Sequence, residues 1–240
     1  MTNPTDGVVE KVHSDYIHSI DVGVMRFNRN SNEIEILLIK RAKAPYADRW
    51  ALPGIVKNGD KKDRSIDAAL ERLLKDKVCL TPKYVEQVET VGNDTRDPRC
   101  ESSSTFYMAF VDDTYEIDGD KMFVNIEDIV NDKFALPFDH NVLVRIIRKR
   151  LYNKARYSSI PLMLLPNKFG ATEALDVFSA AVSKPLNKSS LRQRLLTLVK
   201  EDFIAETGDK VRPKAKKGPA QVEYENKKPT EIHEFDRCFE

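Results

Sequence analysis

Trp50-Ala-Leu-Pro-Gly-Ile-Val-Lys-Asn-Gly59, followed by Ser65-Ile-Asp-Ala-Ala-Leu-Glu-Arg-Leu-Leu-Lys-Asp-Lys-Val78, carries the plainest structural pattern in the chain. The first segment is a short extended piece broken by Pro53 and two glycines, which favour a loop. In the second, Ile66, Ala69, Leu70, Leu73 and Leu74 recur at helical spacing and form one apolar stripe. The spacing predicts a helix from about Asp63 to Asp76. Taken alone, this is equally the pattern of an ordinary amphipathic helix.

Outward from this stretch, period-two and apolar runs predict strands. They lie at Ile17 to Arg26, Glu35 to Arg41, Val85 to Thr95, Ser102 to Val111 and Met122 to Ile126, with a helical turn from Ile126 to Val130. Pro45 to Asp48 reads as a loop. Between two strands stands Arg96-Asp97-Pro98-Arg99. Pro98 stiffens the turn, and two guanidiniums held there can clamp a phosphate bidentately. The tetrapeptide is also that of a solvent-facing turn with its own Asp–Arg pair.

The loop and helix resemble a Nudix box. A working box carries glutamates one helical turn apart, which converge to hold divalent cations. Aligned on Ala68-Ala69, this chain places Arg64 at the first Glu position and Arg72 and Lys75 at two others. Only Asp76 keeps a carboxylate, Val78 replaces the closing Gly, Ile55 replaces the second Gly of a pair, and Asp60-Lys61-Lys62 looks inserted. Bases at the heart of a magnesium site repel the ion. The expectation is a Nudix-like frame with no metal site and no catalytic residues. The competing reading is an ADP-ribose pyrophosphatase with a displaced metal site built from Asp60, Asp63, Glu71 or Asp76.

The 240 residues are 41% hydrophobic and 32% charged, in keeping with a water-soluble globular protein of one large or two ordinary domains. No apolar run is long enough to span a bilayer, and the polar start lacks a signal-peptide core. Cys79, Cys100 and Cys238 are too few and too scattered for a disulfide framework or a zinc site. A cytoplasmic protein is expected, with no membrane partner. The net charge of +1 hides a division: residues 141–220 carry 17 Lys and Arg against 6 Asp and Glu, whereas residues 1–140 carry 19 against 26. An acidic first part joined to a basic second part suggests a sensor joined to a polyanion binder.

The basic part has its own pattern. Asp139-His140 precedes a helix expected from Asn141 to Asn153. His140 is a possible ligand contact or a structural hydrogen-bonding group. A second helix starts at Thr172 and runs to about Val182, a turn follows to Asn187, and a third runs from Lys188 to Leu198, with Leu191, Leu195 and Leu198 inward. Lys188, Ser189, Ser190, Arg192 and Gln193 fall on its outer side, with Arg194 beside them. That is the layout of a helix-turn-helix with its recognition helix second, and these side chains suit base edges and phosphates. Phe203 to Thr207 and Ala220 to Tyr224 read as a hairpin. Between them a basic loop bearing Lys210, Arg212, Lys214, Lys216 and Lys217 is the expected wing, or else a solvated loop.

The order and spacing of several landmarks together resemble the Nudix-related transcriptional regulators of NAD metabolism, the NrtR-like repressors. These are Leu38-Ile-Lys-Arg41, Trp50-Ala-Leu-Pro-Gly54, Tyr84-Val-Glu-Gln87, Arg96-Asp-Pro-Arg99, Leu136-Pro-Phe-Asp-His140, Lys154-Ala-Arg-Tyr-Ser158 and Leu164-Leu-Pro-Asn-Lys-Phe169. The resemblance covers about Asp15 to Tyr224. It implies an α+β protein, with an N-terminal Nudix-like α/β/α sandwich followed by a C-terminal winged helix-turn-helix domain. The corresponding divisions are residues 1–140, a linking helix 141–158, a DNA-binding domain 159–226 and a polar tail 227–240. It further implies a homodimer on pseudo-palindromic operator DNA, repressing NAD biosynthesis or salvage genes and released by ADP-ribose or a related metabolite, with no cofactor required. The expected ligand contacts are Arg41, Trp50, Arg96, Asp97, Arg99, Tyr107 and His140. The expected DNA contacts are Thr172 and Asn187, the outer residues of the third helix with Arg194, and the bases of the loop.

Overall fold

A computed structural model describes residues 16–61, 63–117, 119–212 and 219–227. The expected loop bases Lys214, Lys216 and Lys217 and most of the expected tail lie outside them.

A seven-stranded mixed sheet is built around β1 (Ile17–Asn28). On one edge β1 pairs in parallel with β6 (Ser102–Phe110), which pairs in turn with β5 (Tyr84–Asn93). On the other edge it pairs with β2 (Glu33–Lys40) over Met25 to Asn28, and with β4 (Gly54–Val56) over Ser19 to Asp21. The chain crosses between these partners through β3 (Trp50–Ala51), which pairs β2. β7 (Lys121–Asn125) closes the far side of β2.

Alternation along the strands divides the apolar side chains between two faces. Ile20, Val22 and Val24 pack with Tyr107 and Ala109 under Leu70, Leu73 and Leu74 of the box helix. Met25 and Phe27 pack with Phe106, Met108 and Phe110 on the opposite side, against Leu143, Val144, Ile147 and Leu151 of α3 (His140–Tyr157). Helices therefore cover both faces of the sheet, as the sandwich expectation requires. α3 starts at His140 and runs four residues beyond the expected Asn153. The helical turn at 126–130 is α2 (Ile126–Val130).

The box helix differs from the expectation. α1 is only Ile66–Arg72, capped by the Ser65 hydroxyl, which accepts from Ala68 N at 3.0 Å. Asp63 is drawn out of it, because its carboxylate takes the Asn58 N–H and the Arg72 guanidinium. Leu73–Val78 then widens into a π-turn, ended by Cys79 at φ 64°. π-turns inside helices often mark functional sites. Leu73, Leu74 and Val78 stay in the core through the change.

The remaining chain forms α4 (Ala171–Ala181), α5 (Lys188–Lys200) and a three-stranded sheet of β8 (Lys168–Gly170), β10 (Gln221–Asn226) and β9 (Ile204–Val211), in the order β8-β10-β9. β9 runs four residues beyond the expected strand end. Lys210 therefore stands on the strand, and Arg212 follows its last residue. The apolar cluster beneath α3 continues without a break into Phe169, Val177, Phe178, Leu191, Leu195 and Leu198. Arg29 of the loop after β1 pairs with Glu173 of α4 at 3.0 Å, and Lys83 donates to Leu165 O. Among the described residues, no helix is long and apolar enough to cross a membrane.

Candidate functional site

Where β1 changes partner from β2 to β4, the molecule holds a cavity of about 230 Å³. Ser19 and Asp21 reach it from β1, Arg41 and Lys43 from the end of β2, and Leu52 to Val56 from the crossing segment. Lys77 enters from the π-turn, Arg96, Asp97 and Arg99 from the turn after β5, and Phe138 and His140 from the start of α3.

Asp21 organises the floor. It is 5% exposed, accepts from Ser104 Oγ at 2.5 Å and Ser19 Oγ at 3.1 Å, and stands 3.8 Å from both Arg96 Nη2 and His140 Nε2. A Cβ on Gly54 would lie 1.9 Å from Asp21 Oδ1, which accounts for glycine at the end of Trp50-Ala-Leu-Pro-Gly54. The Leu52 N–H donates to His140 Nδ1 at 3.1 Å. That leaves the proton on Nε2, facing Asp21, in the neutral ring. Burial lowers the His140 pKa, so the neutral form is the one present near neutral pH.

The 96–99 turn is held by Asn93, whose Oδ1 accepts from Thr95 N and Arg96 N. Arg99 makes a bidentate pair with Asp97 of its own turn, at 2.9 and 2.7 Å. Arg96 makes one with Asp139, the residue that leads into α3. Arg41 donates to the Pro45 carbonyl and lies 4.7 Å over the Phe138 ring. Lys77 Nζ donates to Gly54 O at 2.5 Å. Among the described residues, no carboxylate lies within ion-pair distance of Arg41 or Lys77. Burial, then Arg99, lowers the Arg41 pKa, and burial, then Arg41, lowers that of Lys77. The wall thus carries Arg41, Lys43, Lys77, Arg96 and Arg99 against Asp21 and Asp97. Such an excess of clustered cations suits a polyanionic ligand such as a diphosphate.

Of the expected ligand contacts, Arg41, Arg96, Asp97, Arg99 and His140 line this cavity, and two others do not. Trp50 packs against the main core, and strand alternation buries Tyr107 beneath the box helix. The aromatic ring in the wall is Phe138, held at φ 57° and touching Tyr46 edge-on at 4.8 Å. Asp21, Lys77 and Phe138 were missed. A lone acid inside the apolar run Ile20-Asp21-Val22 was a usable signal; nothing in the sequence pattern announced the π-turn that delivers Lys77.

The carboxylates required by the displaced metal site do not gather. Asp60, Glu71 and Asp76 are exposed and outside the cavity, and Asp63 is tied to Arg72. Among the described residues, no group of three His, Cys, Asp or Glu could hold a metal ion. Cys79 and Cys100 are free thiols.

At the other end of the molecule, Lys188, Ser189, Ser190, Arg192 and Gln193 are exposed along one side of α5, with Lys210 and Arg212 exposed on the hairpin. Asn187 caps α5, its Oδ1 accepting from Ser189 N and Ser190 N. The Thr172 N–H donates to Gln221 Oε1 and its hydroxyl accepts from Gln221 Nε2. Arg194 requires a correction: it is 4% exposed and points into the core. It donates to Ala155 O at 2.8 Å and Ser158 O at 2.6 Å, with its guanidinium 4.3 Å over the Phe178 ring. One residue is 100° of helix from the next, so Arg194 shares the inward side with Leu191, Leu195 and Leu198.

No protein-family model matches the chain. It is 30% identical over 217 residues to the ADPR-responsive transcriptional repressor NtrR of Acinetobacter baylyi, covering 87% of this chain and 83% of that protein. NrtR of Shewanella oneidensis, solved in complex with a 27mer DNA, is 27% identical with a TM-score of 0.75, covering 87% of this chain and 93% of that one. The NUDIX domain of the same protein, solved with ADP ribose, is 28% identical with a TM-score of 0.51, over 59% of this chain and 92% of that one.

Proposed function

The chain belongs to the family of Nudix-related, ADP-ribose-responsive transcriptional repressors, and from that premise we propose that it represses NAD biosynthesis or salvage genes until ADP-ribose or a related metabolite releases it from its operator. The observation that carries the reading is a cavity rich in cations and an exposed basic helix face joined by one helix, α3. At the start of α3, Asp139 is tied to Arg96 of the cavity wall. Midway, the Arg148 guanidinium donates to Ala181 O at 2.6 Å, to Ala180 O and to the Ser183 hydroxyl, where α4 turns toward α5. At its far end, Ala155 O and Ser158 O receive Arg194 of α5.

The diphosphate of the ligand sits against Arg41, Lys77, Arg96 and Arg99, and Phe138 offers a face to a ring. Residues 159–226 act as a winged helix. α5 enters the major groove with Lys188, Ser189, Arg192 and Gln193, while Lys210 and Arg212 follow the phosphates. The protein is a cytoplasmic homodimer, and its two α5 helices take the half-sites of a pseudo-palindromic operator. Ligand that binds one position of α3 better than the other shifts the spacing of the half-site readers. A role without hydrolysis is part of this reading, supported by the kinship to a repressor and by the bases Arg64, Arg72 and Lys75 at the positions aligned with the metal-binding acids.

A gel-shift with DNA from upstream of the chain's own gene, with and without ADP-ribose, tests this. A retarded band that ADP-ribose removes supports it. Failure to bind that DNA and the operators of the relatives, or a band indifferent to the ligand, overturns it. Phosphate contacts also require operator affinity to fall steeply with salt.

A further inference from the structure

We infer that Lys77 supplies to this cavity the positive charge that a divalent cation supplies in a Nudix hydrolase, so that this protein binds a diphosphate through a resident ammonium and needs no metal to do so. The inference rests on the ligand reading above and names the group that makes the cavity selective for that chemistry.

The fold implies a divalent ion, and the side chains present do not fit one. The positions aligned with the metal-binding acids have left the site. Arg64 and Lys75 are exposed, Asp76 is exposed, and Arg72 is spent on Asp63 and on Val56 O. None of the four lines the cavity. Oxygen-rich donor sets hold magnesium. Here the wall contributes two buried carboxylates, and neither is open to an ion: Asp21 is shared among Ser19, Ser104, Arg96 and His140, and Asp97 is paired bidentately with Arg99.

The residue that does enter is Lys77, two positions past Lys75. It comes in because Leu73–Val78 is a π-turn: the Cys79 N–H reaches back to Leu74 O, and the wider turn keeps Leu74 and Val78 in the core while Lys77 swings to the cavity side. Its Nζ is fixed by Gly54 O and faces Arg41 across the same wall. An ammonium has three donors. One is used on Gly54, and two remain for the bridging and terminal oxygens of a diphosphate. Burial and the neighbouring Arg41 depress the Lys77 pKa. A bound dianion removes that penalty.

The test is calorimetric titration of the full chain with ADP-ribose, in excess EDTA and again in excess magnesium chloride, alongside Lys77→Gln and Lys77→Arg. The expected result is one dissociation constant for the wild type in both buffers. Lys77→Gln weakens binding by roughly 10- to 100-fold in both, with its melting temperature kept, and Lys77→Arg restores most of the affinity. Binding by the wild type that appears only with magnesium overturns the inference, as does unchanged affinity in Lys77→Gln. If Lys77→Gln fails to fold, the EDTA comparison and Lys77→Arg decide. Inorganic pyrophosphate serves as a second probe. Lys77-dependent, metal-independent binding of pyrophosphate with no binding of ADP-ribose sinks the effector and leaves the inference standing. Binding of neither sinks both.

Discussion

Arg96 reaches both carboxylate oxygens of Asp139, through Nε at 3.0 Å and Nη2 at 3.1 Å. Arg96 is also a wall of the cavity, and Asp139 leads straight into α3. The pair thus ties the cavity wall to the helix that bonds to α4 through Arg148 and to α5 through Ala155 O. The two residues are 43 positions apart in sequence, and neither the Arg-Asp-Pro-Arg turn nor the Asp-His pair indicates that they meet.

The first prediction concerns that pair. Asp139→Asn keeps the shape of the side chain and removes its charge. ADP-ribose affinity is expected to change by less than about 10-fold, while saturating ligand no longer lowers operator affinity. Fluorescence anisotropy on labelled operator, with ligand binding measured separately, checks both halves. A variant released normally by ligand shows that the coupling runs elsewhere.

Arg192 and Arg194 are two residues apart and are expected to behave oppositely. Arg194→Ala strips the buried donor from Ala155 O and Ser158 O and should cost about 2–4 kcal/mol of stability. Arg192→Ala, on the exposed side, should leave the melting temperature almost unchanged and weaken operator binding by about 1–3 kcal/mol. Thermal melts and operator titrations of the two variants would contradict this if the effects were exchanged.

Asp63 sets an acid limit on the box segment. Its two bonds to Arg72 and one to Asn58 N lower its pKa from 3.8 to about 2. A depressed carboxylate contributes stability that is fully present above its unfolded value and disappears as pH falls through its folded value. The advantage of the wild type over Asp63→Asn should therefore be constant from neutral pH down to about 4 and vanish toward about pH 2. Paired melting curves across that range measure it. A gap that stays constant to the lowest pH contradicts the role given to the Asp63–Arg72 pair.

Gly54→Ala pushes a methyl into Asp21 Oδ1, 1.9 Å from the ideal Cβ position. The substitution should cost about 1–3 kcal/mol and weaken ADP-ribose binding, because Asp21 orients Arg96 and His140. The double variant Gly54→Ala with Asp21→Ala should recover melting temperature relative to Gly54→Ala alone. No recovery would place the clash elsewhere.

The sandwich of helices on a mixed sheet was legible because period-two strands and one amphipathic stripe are local patterns. The two helices α4 and α5 and the strands β9 and β10 after them were legible for the same reason. The identity of the inward residues was less so. Arg194 is a base at a helical position that faces the core, and its hydrophobic neighbours Leu191 and Leu195 told more than its charge. In the cavity, Arg41, Arg96 and Arg99 could be picked out by type. Trp50 and Tyr107 could not be separated from core, since aromatic residues serve both uses. Lys77 was hidden because a π-turn shifts the register of a helix by one residue, and intrinsic helix preference does not report it.

The most direct test of the account is the affinity of the purified chain for DNA from its own upstream region, titrated with ADP-ribose in EDTA. The account predicts a specific complex that ADP-ribose dissociates without any divalent ion and without being consumed. A complex that persists at saturating ADP-ribose, or that dissolves only when magnesium is present and ribose phosphate is released, would contradict it.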